Sequence, residues 1–111
     1  DAKEIAGVKV LAKVLEGVPG KDLRGMADQM KQQLGSGIVV LVATDEGKAA
    51  IVAGVTDDLT ERFNAVDLVK IGVTELGGRG GGGRPDMAQG GGPDAAQAAQ
   101  ALAAIEQKIL G

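Results

Sequence analysis

The sequence predicts an α/β domain: a small mixed β-sheet with packed helices, occupying residues 1–111 as one unit. Three observations carry this. A continuous apolar run, Ile38 to Ala43, is followed by the turn Thr44–Gly47 and a second apolar run from Lys48 to Val55, the pattern of an antiparallel hairpin with a strand buried on both faces. The partly alternating stretch Val8–Leu15 lies one helix length upstream of Ile38, which suits a right-handed β-α-β crossover. Two further stretches, 65–76 and 94–110, carry apolar residues at helical spacing.

Taken in order, residues 8–15 form the first strand. Val8, Val10, Ala12 and Val14 share one face, and Lys9, Leu11, Lys13 and Leu15 share the other. The lysines either face a partner or protect a strand near a sheet edge. Gly17 to Gly20 make a turn. A helix then runs from about Lys21 to Leu34, with Leu23, Met26, Ala27, Met30 and Leu34 on its apolar face and Gly35 as its stop. Lys21, Arg24, Asp28 and Lys31 occupy the opposite face, expected to be solvated. Asn64 is placed to cap the next helix, helped by Asp67. Its stripe is Val66, Val69, Val73 and Leu76, and Phe63 with Leu68 has the spacing of a hydrophobic staple. Asp94 and Gln97 have capping-box spacing for an alanine-rich last helix that ends near Leu110, with Leu102, Ile105 and Ile109 turned to the core.

Composition excludes several function classes. There is no Cys or His, and Ser36 is the only serine, so no Ser/His or Cys/His nucleophile pair and no zinc-finger site can form within the chain. The acid pairs Asp45-Glu46 and Asp57-Asp58 sit in polar turns, where such residues are ordinarily solubilising. We read the chain as non-enzymatic by itself. No long apolar run marks a membrane span and no targeting pattern is present, which fits the cytosol. The first residue is Asp1 rather than Met, which suggests a piece of a longer protein or a processed chain. A net charge of −3 and a single aromatic, Phe63, rule against general nucleic-acid affinity and base-stacking platforms. Any RNA contact should therefore be local, weak, and made to backbone and shape.

Residues 77–92, GGRGGGGRPDMAQGGG, hold nine of the chain's 19 glycines, too many for an ordinary turn. Glycine lets a backbone approach another molecule closely, successive amides can cradle an anion, and arginine adds planar donors for phosphate. The expected site is thus a phosphate-meeting loop formed by Gly77, Gly78, Arg79, Gly80, Gly81, Gly82, Gly83, Arg84, Gln89, Gly90 and Gly91. A flexible linker is the alternative. The segment contains no serine, Pro85 stiffens it, and a helical pattern follows, which together favour an internal loop. It does not match a P-loop, having no Gly-Lys-[Ser/Thr] ending. An anion there should be held by loop amides and arginines, since the Asp94 carboxylate would repel it.

The same segment, with Arg84-Pro85-Asp86-Met87-Ala88-Gln89 as its specific part, resembles the signature of the DHHA1 domain in the form found at the C-terminus of bacterial alanyl-tRNA synthetase. The runs 5–11 and 52–60 also resemble that family. Gly80 to Gly83 are four glycines where the common form has three, which shifts the register of the loop by one. The resemblance implies a module that grips the tRNA(Ala) elbow and helps aminoacylation and editing cooperate. It implies partners in the rest of the synthetase chain, a possible homodimer in the full-length protein, and no membrane. The ligase activity, with ATP, magnesium and zinc, would belong to the parent protein. Residues 1–5 would be the last turn of the helical segment that precedes the domain. Two alternatives remain open: the substrate-binding DHHA1 domain of a DHH-type phosphoesterase, and a purely structural or dimerising module.

Overall fold

The computed structural model describes residues 2–111; Asp1 lies outside the described residues. Nine regular elements follow one another: β1 (Lys3–Ile5), β2 (Val8–Glu16), α1 (Leu23–Leu34), β3 (Ile38–Asp45), β4 (Lys48–Val55), α2 (Ala65–Glu75), β5 (Gly82–Arg84), β6 (Met87–Gly92) and α3 (Ala98–Leu110). The strands form a single mixed sheet in the order β1-β2-β3-β4-β6-β5. Only β2 and β3 pair in parallel, joined through α1 as the crossover spacing requires. The expected fold class is therefore found.

β3 lies inside the sheet, and its six apolar residues, Ile38 to Ala43, are all buried. Ile38, Val40 and Val42 meet Ile51, Ala53, Val69 and Ile105 on the face covered by α2 and α3. Val39, Leu41 and Ala43 meet Leu23, Ala27 and Val52 on the face covered by α1. The strand's period of two thus supplies both layers of the core from one short run. The β3–β4 turn is tighter than the sequence suggests: Glu46 and Gly47 alone bridge the strands, with φ of 51° and 81°.

Several expectations are corrected. Within the stretch 1–5, of which Asp1 lies outside the described residues, no helix end is found: Lys3–Ile5 is strand β1, turned back on β2 by Ala6 and Gly7 at φ 53° and 81°, with Lys3 bonded to Glu106 of α3 at 2.7 Å. β1 pairs only with Val8, Lys9 and Val10, so the far half of β2 is a sheet edge, as the alternating lysines suggest, and Val14 there is 39% exposed. α1 starts at Leu23, after a 3-10 turn over Gly20–Asp22. Lys31 is not on a solvated face; its side chain is only 12% exposed. The Asp94 capping box does not form. The Asp94 amide instead donates to Leu76 O at 3.0 Å, and a 3-10 turn, Ala95–Gln97, leads into α3. Tying that backbone to the end of α2 leaves the Asp94 side chain out of capping geometry.

Other local signals hold. Asn64 accepts the Val66 amide at 2.9 Å as the cap of α2. Val69, Val73 and Leu76 are buried, and Phe63 and Leu68 join the same core cluster. Arg62 also stacks over the Phe63 ring, 5.1 Å from its centroid. The acid pair at Asp57-Asp58 has a structural task. Asp58 accepts from Ser36 Oγ at 2.5 Å and from Thr56 Oγ1 at 2.6 Å, while Thr56 Oγ1 accepts the Gly37 amide at 3.0 Å. The buried Thr56 hydroxyl thereby both donates and accepts, and the loop before β3 is tied to the end of β4.

Two outcomes test this packing. Residue 92 lies where an added Cβ would strike the Leu76 carbonyl, whereas one at 82 would meet open space. Gly92→Ala should cost about 1–3 kcal/mol, the usual range for overpacking, and Gly82→Ala should be neutral or slightly stabilising; paired denaturant titrations measure both. The second outcome concerns Asp58, whose carboxyl is held below its ordinary 3.8 by the Ser36 and Thr56 hydroxyls. A depressed folded value adds stability above the unfolded value, and that stability is lost as pH falls through the folded one. The melting-temperature gap between the native chain and Asp58→Asn should therefore be widest near neutrality and close below pH 3.8.

Candidate nucleic-acid interface

The glycine-rich segment is largely a hairpin rather than a loop. After α2 the chain turns at Gly77, φ 75°, and the Gly78 amide donates to Val73 O at 2.9 Å. Residues 78–81 run along α2, and then Gly82–Arg84 and Met87–Gly92 pair as β5 and β6. β6 also pairs with β4 from Ala49 to Gly54. Most of the glycines answer to packing. A Cβ on Gly90 would lie 2.6 Å from Val73 Cγ2, one on Gly91 2.7 Å from Ala49 O, and one on Gly81 3.0 Å from Val69 Cγ1. Gly78 is pressed against Gly91 O, Gly83 against Met87 O, and Gly92 against Leu76 O. Only Gly80 and Gly82 face open space within the segment.

The specific core of the signature, around Pro85 and Asp86, joins four elements. Pro85 O accepts the Ala65 amide at 2.8 Å, satisfying one of the free donors at the start of α2. Asp86 O accepts both the Val55 amide at 2.9 Å and Lys31 Nζ at 3.0 Å. The Lys31 stem crosses Gly54, where a Cβ would lie 2.6 Å from its Cδ. The Asp86 carboxylate stands 3.8 Å from Lys31 Nζ and 3.7 Å from Arg84 Nε. At these separations the attraction is modest, and the 66% exposed Arg84 is left available to a partner.

α1 packs over β3 and β4 with Met87 of β6 buried in the same layer, and leaves β5 and Gln89 of β6 outside its main contacts. A cleft of ≈ 380 Å³ opens there, with Gly82, Gly83, Arg84 and Gln89 on one wall and Arg24 of α1 on the other. Two neighbouring hollows, ≈ 540 and ≈ 490 Å³, share Arg24 and add Lys21. Gly90 lines the first of these and Asp28 the second. The fold thus brings Gly82, Gly83, Arg84 and Gln89 to one cleft and Gly90 to the hollow beside it. It does not bring Gly77, Gly78, Arg79, Gly80, Gly81 or Gly91 there. Lys21 and Arg24 were assigned to a solvated helix face by sequence reasoning. Their spacing opposite the apolar stripe marks that face, but nothing local shows that Arg84 lies across from it.

Arg24 and Arg84 give this region cationic side chains beside main-chain groups, and Asp28 and Asp86 bring carboxylates to the neighbouring hollow. The chain has no His or Cys, and the described residues contain no group of three or more side chains able to hold a metal ion. The residues present therefore do not fit a zinc site. No helix among the described residues is long and apolar enough to cross a membrane.

Comparison with known proteins agrees with this architecture. The DHHA1 domain model matches residues 7–111. An alanine–tRNA ligase of Parvibaculum lavamentivorans is 60% identical across 96% of this chain and 12% of its own length. One from Cereibacter sphaeroides is 58% identical across 100% of this chain and 13% of its own. The chain thus spans a small part of the curated relatives it matches. The crystal structure of the C-Ala domain from Aquifex aeolicus alanyl-tRNA synthetase superimposes with a TM-score of 0.93 at 27% identity, covering 100% of this chain and 99% of that one. A DHH-domain member of the s1p family of ribosomal proteins shares the fold alone, with a TM-score of 0.62 at 21% identity over 99% of this chain and 27% of that one. The chain belongs to the DHHA1 domain family and is similar, over its whole length, to the C-terminal domain of alanyl-tRNA synthetase.

Proposed function

We propose that this chain is the tRNA-binding module of an alanine–tRNA ligase, holding the elbow of tRNA(Ala) so that aminoacylation and editing can act on one bound molecule. The observation that carries this reading is the meeting of Arg84 of the hairpin with Arg24 of α1 across one cleft, with Lys21 in the hollows beside it, in a chain whose net charge is −3. Scattered surface cations would balance surface acids. Cations drawn from two elements to one cleft give a local field for phosphate. The whole-length similarity to alanine–tRNA ligases favours the synthetase over a phosphoesterase. The ATP, magnesium and zinc of the parent ligase belong on this reading to other parts of the protein, which works in the cytoplasm. Dimerisation would likewise draw on residues outside this chain.

Binding and catalysis then separate cleanly. The chain incubated with ATP, alanine and tRNA, or with seryl-tRNA, should show no turnover above background; turnover that co-purifies with it would refute the assignment. tRNA binding should weaken with salt along a shallow log–log slope of about −2 to −3, as expected for contacts from three cations. Changing Arg79 and Arg84 together to Ala should weaken binding by roughly 1.5–3 kcal/mol. Arg84 should carry most of the loss because it lines the cleft, and Lys at both positions should restore only part of it. Melting curves measured in parallel separate this from loss of the Arg84–Asp86 contact. A double variant that melts early yet binds normally when folded would make the arginines loop anchors instead.

A further inference from the structure

We propose that the open half of the β2 edge, Leu11 to Glu16, is covered in the parent ligase by the segment of chain immediately ahead of Asp1, which continues β1 as an antiparallel strand along β2. This needs the chain to be a domain of a longer ligase, but it does not depend on tRNA binding.

β2 is fully paired on one side only. Val10 to Glu16 all pair with β3, whereas β1 pairs with Val8, Lys9 and Val10 alone. The Ala6-Gly7 turn has positive φ at both residues, as in a two-residue type I′ hairpin, so Ile5 and Val8 beside it exchange hydrogen bonds. Alternation along the strand then turns the amides and carbonyls of Val10, Ala12, Val14 and Glu16 to the β1 side. The Gly17 amide fits this phase, since it donates the opposite way, to Thr44 O at 2.8 Å. Beyond Val10, the outward groups of Ala12, Val14 and Glu16 meet no strand among the described residues. Such a row of groups is a template for another strand. The side chains agree: Val14, on the same face as the buried Val8 and Val10, is 39% exposed. Lys9 and Lys13 stand on the other face and do not shield it.

The direction of β1 selects the occupant. Its register, Ile5 with Val8 and Lys3 with Val10, leads the chain ahead of Lys3 along Leu11 toward Glu16. In that register the residue just before Asp1 falls opposite Lys13, the second before it opposite Val14, and the fourth opposite Glu16. A short upstream segment thus extends the three-residue β1 to match the whole of β2. Such a segment is at hand: this chain covers 12–13% of the length of its ligase relatives, and as their C-terminal domain it has the remainder ahead of it. Being continuous with β1, the segment pairs within the molecule and has the advantage of high effective concentration over a second copy. A second copy would share only Leu11–Glu16 with its partner, far short of the roughly 20–30 residues a side of a stable interface.

Hydrogen exchange followed by mass spectrometry tests the cover, comparing this 111-residue chain with the full-length ligase and without RNA in either sample. In the peptide Leu11–Glu16, the amides of Leu11, Lys13 and Leu15 face β3 in both proteins and serve as the internal reference. Those of Ala12, Val14 and Glu16 should exchange about tenfold or more slowly in the ligase. Equal exchange in the two proteins would overturn the proposal. So would protection in the short chain that rises with its concentration, which assigns the edge to a second copy. A disulfide then identifies the occupant. The chain is extended by the natural residues that precede Asp1 in the ligase, with Lys13→Cys and a cysteine replacing the residue just before Asp1. The two form a non-hydrogen-bonded pair with Cα atoms about 4.5 Å apart, within disulfide reach. Mild oxidation should close this bridge in most molecules, and moving the upstream cysteine by one position, to the other face of the sheet, should leave most of them open. No bridge at the matched position, or equal yields at both, would give the edge to some other part of the ligase and overturn the proposal.

Discussion

The close approach of the β6 backbone to α2 is the constraint on which the rest of the structure depends. Gly90 and Gly92 lie against Val73 and Leu76 at distances that leave no room for a Cβ, and Gly78 closes over Gly91 from the other direction. A strand without side chains on that face lets the helix settle directly on the sheet. α2 in turn has Gly72 over Ile51 and Ile105, again with no space for a Cβ, which brings α3 into the same layer. The mobility of free glycine is removed where Gly90, Gly91 and Gly92 pair with β4, so the entropic cost of ordering them is offset by ladder hydrogen bonds and by burial of α2.

The turn between β5 and β6 fastens this layer to the opposite one. Through Asp86 O and Pro85 O, a single turn receives bonds from α1, β4 and the start of α2. Lys31 reaches it from the α1 side, its stem lying where Gly54 leaves a gap. The signature residues that look most like a ligand site in sequence are thus occupied in holding the fold together, through their carbonyls more than their side chains. Arg84 and the outer wall of β5 remain free to serve a partner. The hairpin is tied to α1 at the same point, and again where Met87 packs with Leu23 and Ala27.

Charge is organised in the same way. The chain is acidic as a whole, yet Arg24 and Arg84 share a cleft that no carboxylate lines; Lys21 joins them in a hollow that Asp28 and Asp86 also line, and Asp57 and Asp58 join those two acids in the next one. Side-by-side regions of opposite sign restrict how a polyanion can lie, which favours one orientation over general affinity. The Asp57-Asp58 pair belongs to this acidic side and also ties Ser36 and Thr56 together.

The sequence by itself determined the elements whose evidence is local. The run Ile38–Ala43 reads as a strand buried on both faces, because it is short, wholly apolar and rich in β-branched residues. Asn64 announces α2, because a cap needs only its own next two residues. The parallel pairing of β2 with β3 follows from the length of the intervening helix. The signature in residues 77–92 sufficed to place the family. Tertiary structure alone decided the rest. Glycines have no hydrophobic period, so the strand character of Gly90–Gly92 comes from β4, about 40 residues earlier in the chain. Lys31 reads as a solvent residue until Asp86, 55 positions away, is seen to accept from it. Lys21 and Arg24 become part of a candidate site only when the hairpin brings Arg84 across from them. Such meetings depend on distances in space between residues far apart in the chain, and local pattern carries no record of those distances.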